Sequence, residues 1–271
     1  SLKTPPRAMD SLKNIFQKIE APLKSKLEVG LMTGGAIFTG TISSKNLFSN
    51  DINLYNALQV NYTIYSNLSA SLTVGSFKLS NSDILSNDNE QIARGMKFST
   101  SMLSISPSVQ YDFVDNRLYS KARRIRPSVG FGLDIAMFNP TGLYKGKEYP
   151  LQPLGTGGQF IDSAGKPYSL MALGYFFHFK VKYQLSRFNS VGIHFAIHKS
   201  MSDYLDDVGS ATYANSKVID KEVSQMAADL SNRSLDGSKY GVRGNPSTKD
   251  WYVYSGMTIA LRLGREKICF Y

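Results

Sequence analysis

Apolar and polar residues alternate with a period of two along eight segments of this chain. In the clearest segment, Tyr168 to Leu185, one parity is apolar or aromatic from Met171 onward, whereas the other includes His178, Lys180 and Lys182. Successive side chains of a strand point to opposite faces, so this alternation predicts β-strands. The other seven strands are predicted at Leu27–Ile42, Leu54–Tyr65, Leu68–Leu79, Lys97–Phe113, Arg124–Phe138, Ser190–Met201 and Asp250–Leu263.

The connections between these strands alternate between short and long. The short ones are Ser66–Asn67, Val114–Arg123 and Ser186–Asn189, and the long ones are Ser43–Asn53, Ser80–Met96, Asn139–Pro167 and Ser202–Lys249. Outer-membrane barrels have short periplasmic turns and long extracellular loops, and tilted strands of about 9–11 residues cross a bilayer. The pattern therefore predicts an all-β fold, an eight-stranded antiparallel transmembrane β-barrel over residues 27–271, in the cell outer membrane with both termini periplasmic.

Aromatic residues are expected near both rims of the predicted barrel, where rings meet lipid headgroups. Near the periplasmic rim they are Tyr62, Tyr111, Phe113 and Tyr183, and near the opposite rim Trp251 and Phe138. A soluble lipocalin-like barrel that binds a ligand stays open as an alternative, because it differs only in having its apolar faces turned inward.

Residues 1–26 form a separate predicted unit. Apolar residues recur there at helical spacing, so the segment is predicted to be a periplasmic amphipathic helix that Pro22 ends or bends. The apolar stripe can lie on the periplasmic rim, plug the lumen or bind a partner protein. In the last case, the predicted partner-binding residues are Leu12, Ile15, Phe16 and Ile19. The opening residues lack the apolar core of a signal peptide, so we expect that a signal peptide is cleaved before residue 1.

Composition changes this interpretation little. The hydrophobic content of 42% resembles that of an ordinary soluble protein, because half of every barrel strand is polar. No nucleic-acid-binding motif accompanies the net charge of +10, so a solvated or phosphate-facing surface is the preferred explanation and nucleic acid is not an expected partner. A single cysteine, Cys269, excludes an internal disulfide.

Charged residues fall on the polar parity of several predicted strands. In a narrow eight-stranded barrel they face the lumen, where buried charges have to be paired. We therefore expect an internal salt-bridge network that fills the barrel and disfavours an open channel. Its predicted members are Glu28, Arg124, Arg126, Asp134, Lys180, Lys182 and Arg262.

Two clusters are candidates for chemistry. Asp203, Asp206 and Asp207 follow the seventh strand, but their spacing does not match a calcium-binding EF-hand loop. The preferred interpretation is that these aspartates form the solvated base of a loop and pair with nearby lysine or arginine. His194 and His198 share one parity of a strand at about 13 Å, too far apart to share a metal, and lumen hydrogen bonding is preferred to catalysis. No catalytic residue, metal, cofactor or small-molecule substrate is therefore predicted.

Four local strings carry a family resemblance. They are Glu28-Val29-Gly30 with Gly34-Gly35, Arg94-Gly95, Asp203-Tyr204-Leu205-Asp206-Asp207-Val208, and Arg243-Gly244-Asn245-Pro246 leading to Asp250-Trp251-Tyr252. With these strings the chain resembles the PorG-like family of outer-membrane barrels from Bacteroidota over about residues 27–271. It departs from that family in the helical extension before Leu27 and in the very long final loop.

The resemblance implies a barrel that belongs or is related to the type IX secretion machinery, which exports proteins and supports gliding motility in some species. The expected function is a non-enzymatic anchor that positions a periplasmic protein assembly. Its expected partners are outer-membrane lipid and periplasmic or outer-membrane proteins of a secretion complex. The alternative from another class is an outer-membrane barrel enzyme that acts on lipid or peptide.

Overall fold

The computed structural model describes residues 21–22, 26–42, 50–115, 118–119, 124–161, 166–209, 212–245 and 249–263. Within these ranges, eight long antiparallel strands pair edge to edge and close into a barrel. The barrel strands are β2 (Leu27–Thr39), β3 (Ile52–Thr63), β4 (Leu68–Ser82), β5 (Lys97–Asp112), β7 (Ile125–Tyr144), β9 (Met171–Gln184), β10 (Asn189–Ser200) and β11 (Trp251–Leu263). Three short strands complete the numbering: β1 (Ala21–Pro22), β6 (Leu118–Tyr119) and β8 (Lys147–Pro150).

The strand positions confirm the predicted eight-stranded barrel. The largest difference lies in β7, which continues past the predicted end at Phe138 to Tyr144 and turns back into β8. Lys145 and Gly146 make that turn with φ of 48° and 81°, as a two-residue hairpin turn requires. The helix predicted over residues 1–26 lies largely outside the described residues. Within it, residues 21–22 are extended and pair with β6.

Side chains alternate between the lumen and the outer wall along the barrel strands. In β9, Phe177 is 59% exposed on the outer wall, whereas His178 and Lys180 are 4% and 1% exposed in the lumen. The apolar parity therefore points outward, which excludes the lipocalin-like alternative. Phe138, expected in an outer aromatic belt, is 3% exposed because it shares the inward parity of β7 with Asp134.

The register around the wall gives the stagger of the barrel. Neighbours of Val181 in β9 can be followed through every strand back to β9, where the circuit ends at Met171. The offset from residue 181 to residue 171 is a shear of ten residues. The strands are consequently tilted, and a row of paired residues climbs from one rim to the other as it circles the wall.

The two rims differ in their connections. The short-turn rim carries the three short connections together with Leu27 and Leu263, which pair with each other. The long-loop rim carries four long connections, and small helical elements lie in the second, third and fourth of them. These are α1 (Asn89–Arg94), α2 (Ser216–Glu222), α3 (Gln225–Ser231) and 3-10 turns at Asp83–Leu85 and Gln152–Leu154. Across the described ranges, each helix is too short or too polar to cross a membrane.

Two glycines allow the seam between β2 and β11 to form. Gly34 and Gly256 are paired across the seam. A Cβ atom on Gly34 would lie 2.4 Å from the Cα of Gly256, and one on Gly256 would lie 2.3 Å from the carbonyl oxygen of Thr33. Any larger residue would push the two backbones apart, so packing explains the glycine string in β2.

Candidate functional site

Charged side chains of the wall close the lumen near the short-turn rim. Lys182 Nζ donates to Glu28 Oε1 at 2.9 Å, and Arg262 Nη2 lies 3.5 Å from Glu28 Oε2. These side chains are at most 6% exposed. Glu28 lies in β2 and Lys182 in β9, with β10 and β11 between them, so the ion pair crosses the bore.

Side-chain amides of two glutamines bind the buried ammonium group of Lys180. Lys180 Nζ donates to the side-chain oxygens of Gln59 at 2.5 Å and Gln110 at 3.4 Å. The Gln110 amide in turn donates to Asp112 at 2.6 Å. Arg126 is 1% exposed in the lumen and donates to the carbonyl oxygen of Asp115 at 3.4 Å. Neutral amide and carbonyl oxygens therefore stabilise the buried positive charges together with the carboxylates.

Of the two other predicted members of the salt-bridge network, Arg124 lies at the rim and Asp134 lies in the lumen. Arg124 precedes β7 at the rim and donates to the hydroxyl of Tyr183, a residue of the outer wall, at 3.4 Å. Because it stands before the first residue of the strand, the strand alternation does not hold it in the lumen. Asp134 lies deep in the lumen, where it accepts hydrogen bonds from Ser106 at 2.6 Å and from Tyr252.

Aromatic rings fill the middle of the lumen around Asp134. His198 Nδ1 lies 3.3 Å from Asp134, and His194 Nδ1 lies 3.0 Å from the Tyr254 hydroxyl. The closest stacked pairs are Tyr55 with Tyr254 at 4.1 Å between ring centroids, His198 with Tyr252 at 4.4 Å and His198 with Phe176 at 4.5 Å. Two of the three histidines thus have the lumen hydrogen-bonding role preferred from the sequence.

Loops fold into the mouth of the barrel at the long-loop rim, and we call the set Asp83, Arg94, Asp207 and Arg243 the loop plug. Arg94 donates to both carboxylate oxygens of Asp83 at 2.7 Å. It also donates to the carbonyl oxygens of Arg243 at 2.8 Å and Thr41 at 3.1 Å. One guanidinium therefore joins three of the four long connections.

Asp207 and Arg243 form the second ion pair of the plug. Arg243 Nη2 lies 3.5 Å from Asp207 Oδ2. Asp207 also accepts hydrogen bonds from the Tyr168 hydroxyl at 2.6 Å and from Thr156. Burial raises the pKa of Asp207, and the charge of Arg243 opposes that shift. The two more specific family-like strings thus meet through Asp207 and Arg243.

Two carboxylates below the plug hold backbone amides of the loops. Asp206 accepts from the N–H of Ile42 at 3.2 Å and of Val208 at 2.9 Å, and Asp250 accepts from the N–H of Leu205 at 3.0 Å. The three apolar residues are at most 2% exposed. The predicted solvated loop base is therefore wrong for this aspartate cluster: its carboxylates are buried, and that of Asp206 binds backbone amides of a folded-in loop. The predicted pairing with a nearby arginine is present at Asp207.

The buried carboxyl groups favour their neutral forms. Burial raises the pKa of Asp203 to about 6, against the opposing charges of Lys249 and Lys199. Burial also raises the pKa of Asp206 and Asp250, and neighbouring carboxylates add to both shifts. In the described ranges, no three His, Cys, Asp or Glu side chains are placed to hold a metal ion. Because their pKa values are raised, Asp203, Asp206 and Asp250 keep their protons to a higher pH than an exposed aspartate does.

The other family-like residues lie around this cluster. The Tyr204 ring stacks on the Tyr168 ring at 4.4 Å, and Lys199 Nζ lies 4.1 Å from the centroid of the Trp251 ring. Asn245 is exposed. These contacts support the plug and the rim.

The sequence profile of DUF6089, a domain of unknown function, matches residues 12–150, just over half of the chain. The chain belongs to the DUF6089 family. The DUF6089 match ends with β8, so Asp207 and Arg243 of the loop plug lie beyond it. No curated protein matches the chain in sequence.

Solved outer-membrane barrels align with most of this DUF6089 chain. Neisserial surface protein A aligns with 10% identity and a TM-score of 0.46, over 88% of this chain and 98% of its own. OprG from Pseudomonas aeruginosa aligns with 10% identity and a TM-score of 0.41, over 89% and 99%. Ail of Yersinia pestis aligns with 7% identity and a TM-score of 0.38, over 89% and 99%. The barrel fold itself is established by the strand pairing of this chain.

Sequence reasoning misses the parts of the site that lie in loops. Asp83 and Thr156 have no periodic pattern around them, and Arg94 stands out only as part of a short family-like string. Tyr168 begins an alternating segment, but the alternation gives no sign of its contact with Asp207. Their roles depend on contacts between loops that are far apart in the chain. A buried arginine in a polar loop gives no local signal of the carboxylate that it binds.

Proposed function

We propose that the protein is a non-enzymatic outer-membrane β-barrel that anchors a protein assembly on the periplasmic side. The observation that carries the membrane assignment is the orientation of the wall. Every barrel strand turns a large apolar side chain outward. In chain order, these residues are Leu31, Leu54, Leu72, Val109, Leu133, Phe177, Ile193 and Ile259. Water would solvate such a continuous apolar surface poorly, whereas lipid suits it.

The closed lumen supports an anchor and not a pore. The contact between Glu28 and Lys182 crosses the bore near one rim, and the loop plug fills the mouth at the other. A solute would have to break buried ion pairs at both ends to pass. The outer wall and the two rims are therefore the surfaces through which the barrel acts.

The short-turn rim is the proposed docking side. Pairing of β1 with β6 brings the end of the N-terminal segment to the connection between β5 and β7. Short turns lie on the periplasmic side in outer-membrane barrels, so both segments face the periplasm in this topology. Leu12, Ile15, Phe16 and Ile19 lie outside the described residues, and their helical spacing is the reason for proposing them as partner-binding residues.

Type IX secretion is the proposed setting of the assembly. The resemblance of the strings at residues 28–35, 94–95, 203–208 and 243–252 to the PorG-like family supports this choice. The ion pair of Asp207 with Arg243 in the loop plug gives the two more specific strings a shared structural role. The proposed partners are accordingly periplasmic or outer-membrane proteins of the secretion complex.

The alternative of a barrel enzyme acting on lipid or peptide has less support. His194 and His198 are 1% and 3% exposed, and their hydrogen-bonding neighbours are Tyr254 and Asp134 in the middle of the lumen. A lipid or peptide would have to enter through a closed end of the barrel to reach them.

Pull-down from native membranes tests the anchor. The double substitution Ile15→Ala and Phe16→Ala should release the co-purifying secretion proteins, because apolar anchors carry most of the binding free energy of such a helix. The matched control, Lys13→Ala with Lys18→Ala, should retain them at the same level of barrel in the membrane. Retention by both variants, or the absence of periplasmic proteins from the wild-type pull-down, would contradict the anchor.

A further inference from the structure

The outer wall carries polar side chains in the middle of three neighbouring strands. Thr33 in β2, Asn56 in β3 and Ser76 in β4 are register partners, and all three are exposed on the outside. We call these three residues the wall patch. Gly35 and Ser255 are paired beside the wall patch. Because both residues are small, the outer surface protrudes less there as well. A membrane-facing wall favours apolar side chains at these positions, and the patch departs from that pattern.

The wall patch lies near the middle of the barrel's height. Its three residues belong to the row of paired residues that climbs from Val181, near the short-turn rim, to Met171 at the long-loop rim. Asn56 stands halfway along that circuit. In the proposed membrane orientation the patch therefore faces the hydrocarbon core, where neither water nor headgroups are available.

The hydrogen bonds of the patch are incomplete within one copy. The Thr33 hydroxyl donates to Asn56 Oδ1 at 2.9 Å. In the part of the chain that the structure describes, the Asn56 amide nitrogen and the Ser76 hydroxyl make no hydrogen bond. Unpaired polar groups cost free energy in hydrocarbon, so a partner that offers both donors and acceptors is favoured over acyl chains.

The shape of the wall also suits close approach. Thr33, Asn56 and Ser76 are smaller than the exposed apolar residues beside them on the wall, such as Leu31, Leu58 and Val74. A second wall can therefore approach the backbone more closely at the patch than at these apolar neighbours. Small residues allow the same close approach between membrane helices.

We propose that a second copy of this chain docks on the wall patch; the proposal rests on the membrane orientation given above. A two-fold axis along the membrane normal, passing between β3 and β4, places Asn56 of each copy opposite Ser76 of the other. Each residue then contacts the other type across the interface, as a self-complementary dimer requires. The Asn56 amide donates to the Ser76 oxygen, and both unpaired groups gain a partner.

Sedimentation equilibrium in density-matched detergent tests the dimer. Wild-type protein should dimerise, and Asn56→Leu should raise the dissociation constant about tenfold or more, the effect of an interhelical polar contact in membranes. Phe177→Leu on the distant wall of β9 is the matched control and should leave the constant unchanged. A wild-type barrel that is folded but monomeric in the detergent would overturn the proposal. An Asn56→Leu variant that dimerises as well as wild type would also overturn it.

Cross-linking in phosphatidylcholine vesicles gives a second measurement. In a Cys269→Ser background, Ser76→Cys should be linked between copies by a short bis-maleimide, whereas Phe177→Cys should not. Equal cross-linking from both positions would overturn the proposal. Protection of the barrel from protease in the same vesicles is measured first: failure to insert contradicts the proposed membrane function, while insertion without selective cross-linking contradicts the dimer alone.

Discussion

The two halves of the lumen are closed by different kinds of contact. Near the short-turn rim, Glu28, Lys182 and Arg262 are carried by strands of the hydrogen-bonded wall. Near the long-loop rim, the loop plug is carried by connections. Contacts between wall strands are lost only when the barrel unfolds, whereas loop contacts can open while the wall stays closed. We therefore expect one fixed end and one end that opens separately.

The largest effect is expected at the fixed end. Glu28→Gln leaves Lys182 and Arg262 without their shared carboxylate and should lower the free energy of unfolding by about 3–5 kcal/mol. Urea titration of the barrel in phosphatidylcholine vesicles measures it. Glu148→Gln is the control: its pair with Lys78 spans 4.0 Å with both side chains 54% exposed, so its loss should cost close to nothing. Equal unfolding midpoints for the two variants would refute the role of the crossing ion pair.

A somewhat smaller effect is expected on the wall that surrounds both halves. Phe177→Arg, in the middle of β9, should cost about 2–4 kcal/mol, because a charge there meets hydrocarbon. Met171→Arg, at the rim end of the same strand, should cost about 0–1 kcal/mol. The same vesicle titration compares them. A cost that does not depend on depth would show that this wall does not face a bilayer.

A local effect is expected at the end that can open. Arg94→Met removes the two guanidinium donors of the buried Asp83 and should lower the protection of the plug by about 1–3 kcal/mol. Hydrogen exchange should show this at the Met96 amide, which donates to Asp83 at 2.9 Å, with no change in the wall strands. Arg233→Met, which loses one hydrogen bond to the Leu143 carbonyl, should change exchange less. Loss of protection in the wall as well would mean that the two ends are not separable.

The smallest effect is the pH dependence of the plug. Because the pKa of Asp203 is raised to about 6 and those of Asp206 and Asp250 are raised too, the closed plug favours protonated carboxyls. Stability contributed this way is present at low pH and is lost as pH rises through the raised pKa values. Protection of the Leu205 amide, corrected for intrinsic exchange, should fall as the pH rises from about 4, where an unfolded aspartate ionises, and should level off only above the raised pKa values, which are about 6 for Asp203 and about 7 for Asp206.

Controls for the pH effect use two aspartates. Asp203→Asn should flatten the lower part of the pH profile, because the amide does not ionise and Lys199 and Lys249 then face a neutral group. Asp236→Asn, in an exposed loop, should leave the profile unchanged. Protection that rises with pH would contradict the assignment.

The wall could be predicted from the sequence and the plug could not, for one physical reason. Alternation is local, so it places Glu28, Lys182 and Arg262 in the lumen without knowledge of their partners. It fails at Arg124, which stands just outside the strand that would orient it. The contact of Arg94 with the Arg243 carbonyl depends on how two distant loops fold, and no local pattern encodes that. The sequence alone shows Asn56 as a polar residue on the apolar parity of β3, but its depth in the wall follows only from the shear of the barrel.

The seam between β2 and β11 has a consequence for how the barrel is made. It joins residues 27 and 263, so no closed wall exists until the last strand has left the ribosome. Loop closure over such a separation is slow, and unpaired strand edges stay open to aggregation meanwhile. The step that ends this exposure also brings Gly34 against Gly256, the tight backbone contact of the seam. A bulkier residue at either glycine would delay closure of the barrel. The first sign of such a substitution would be a prolonged dependence on a chaperone during assembly.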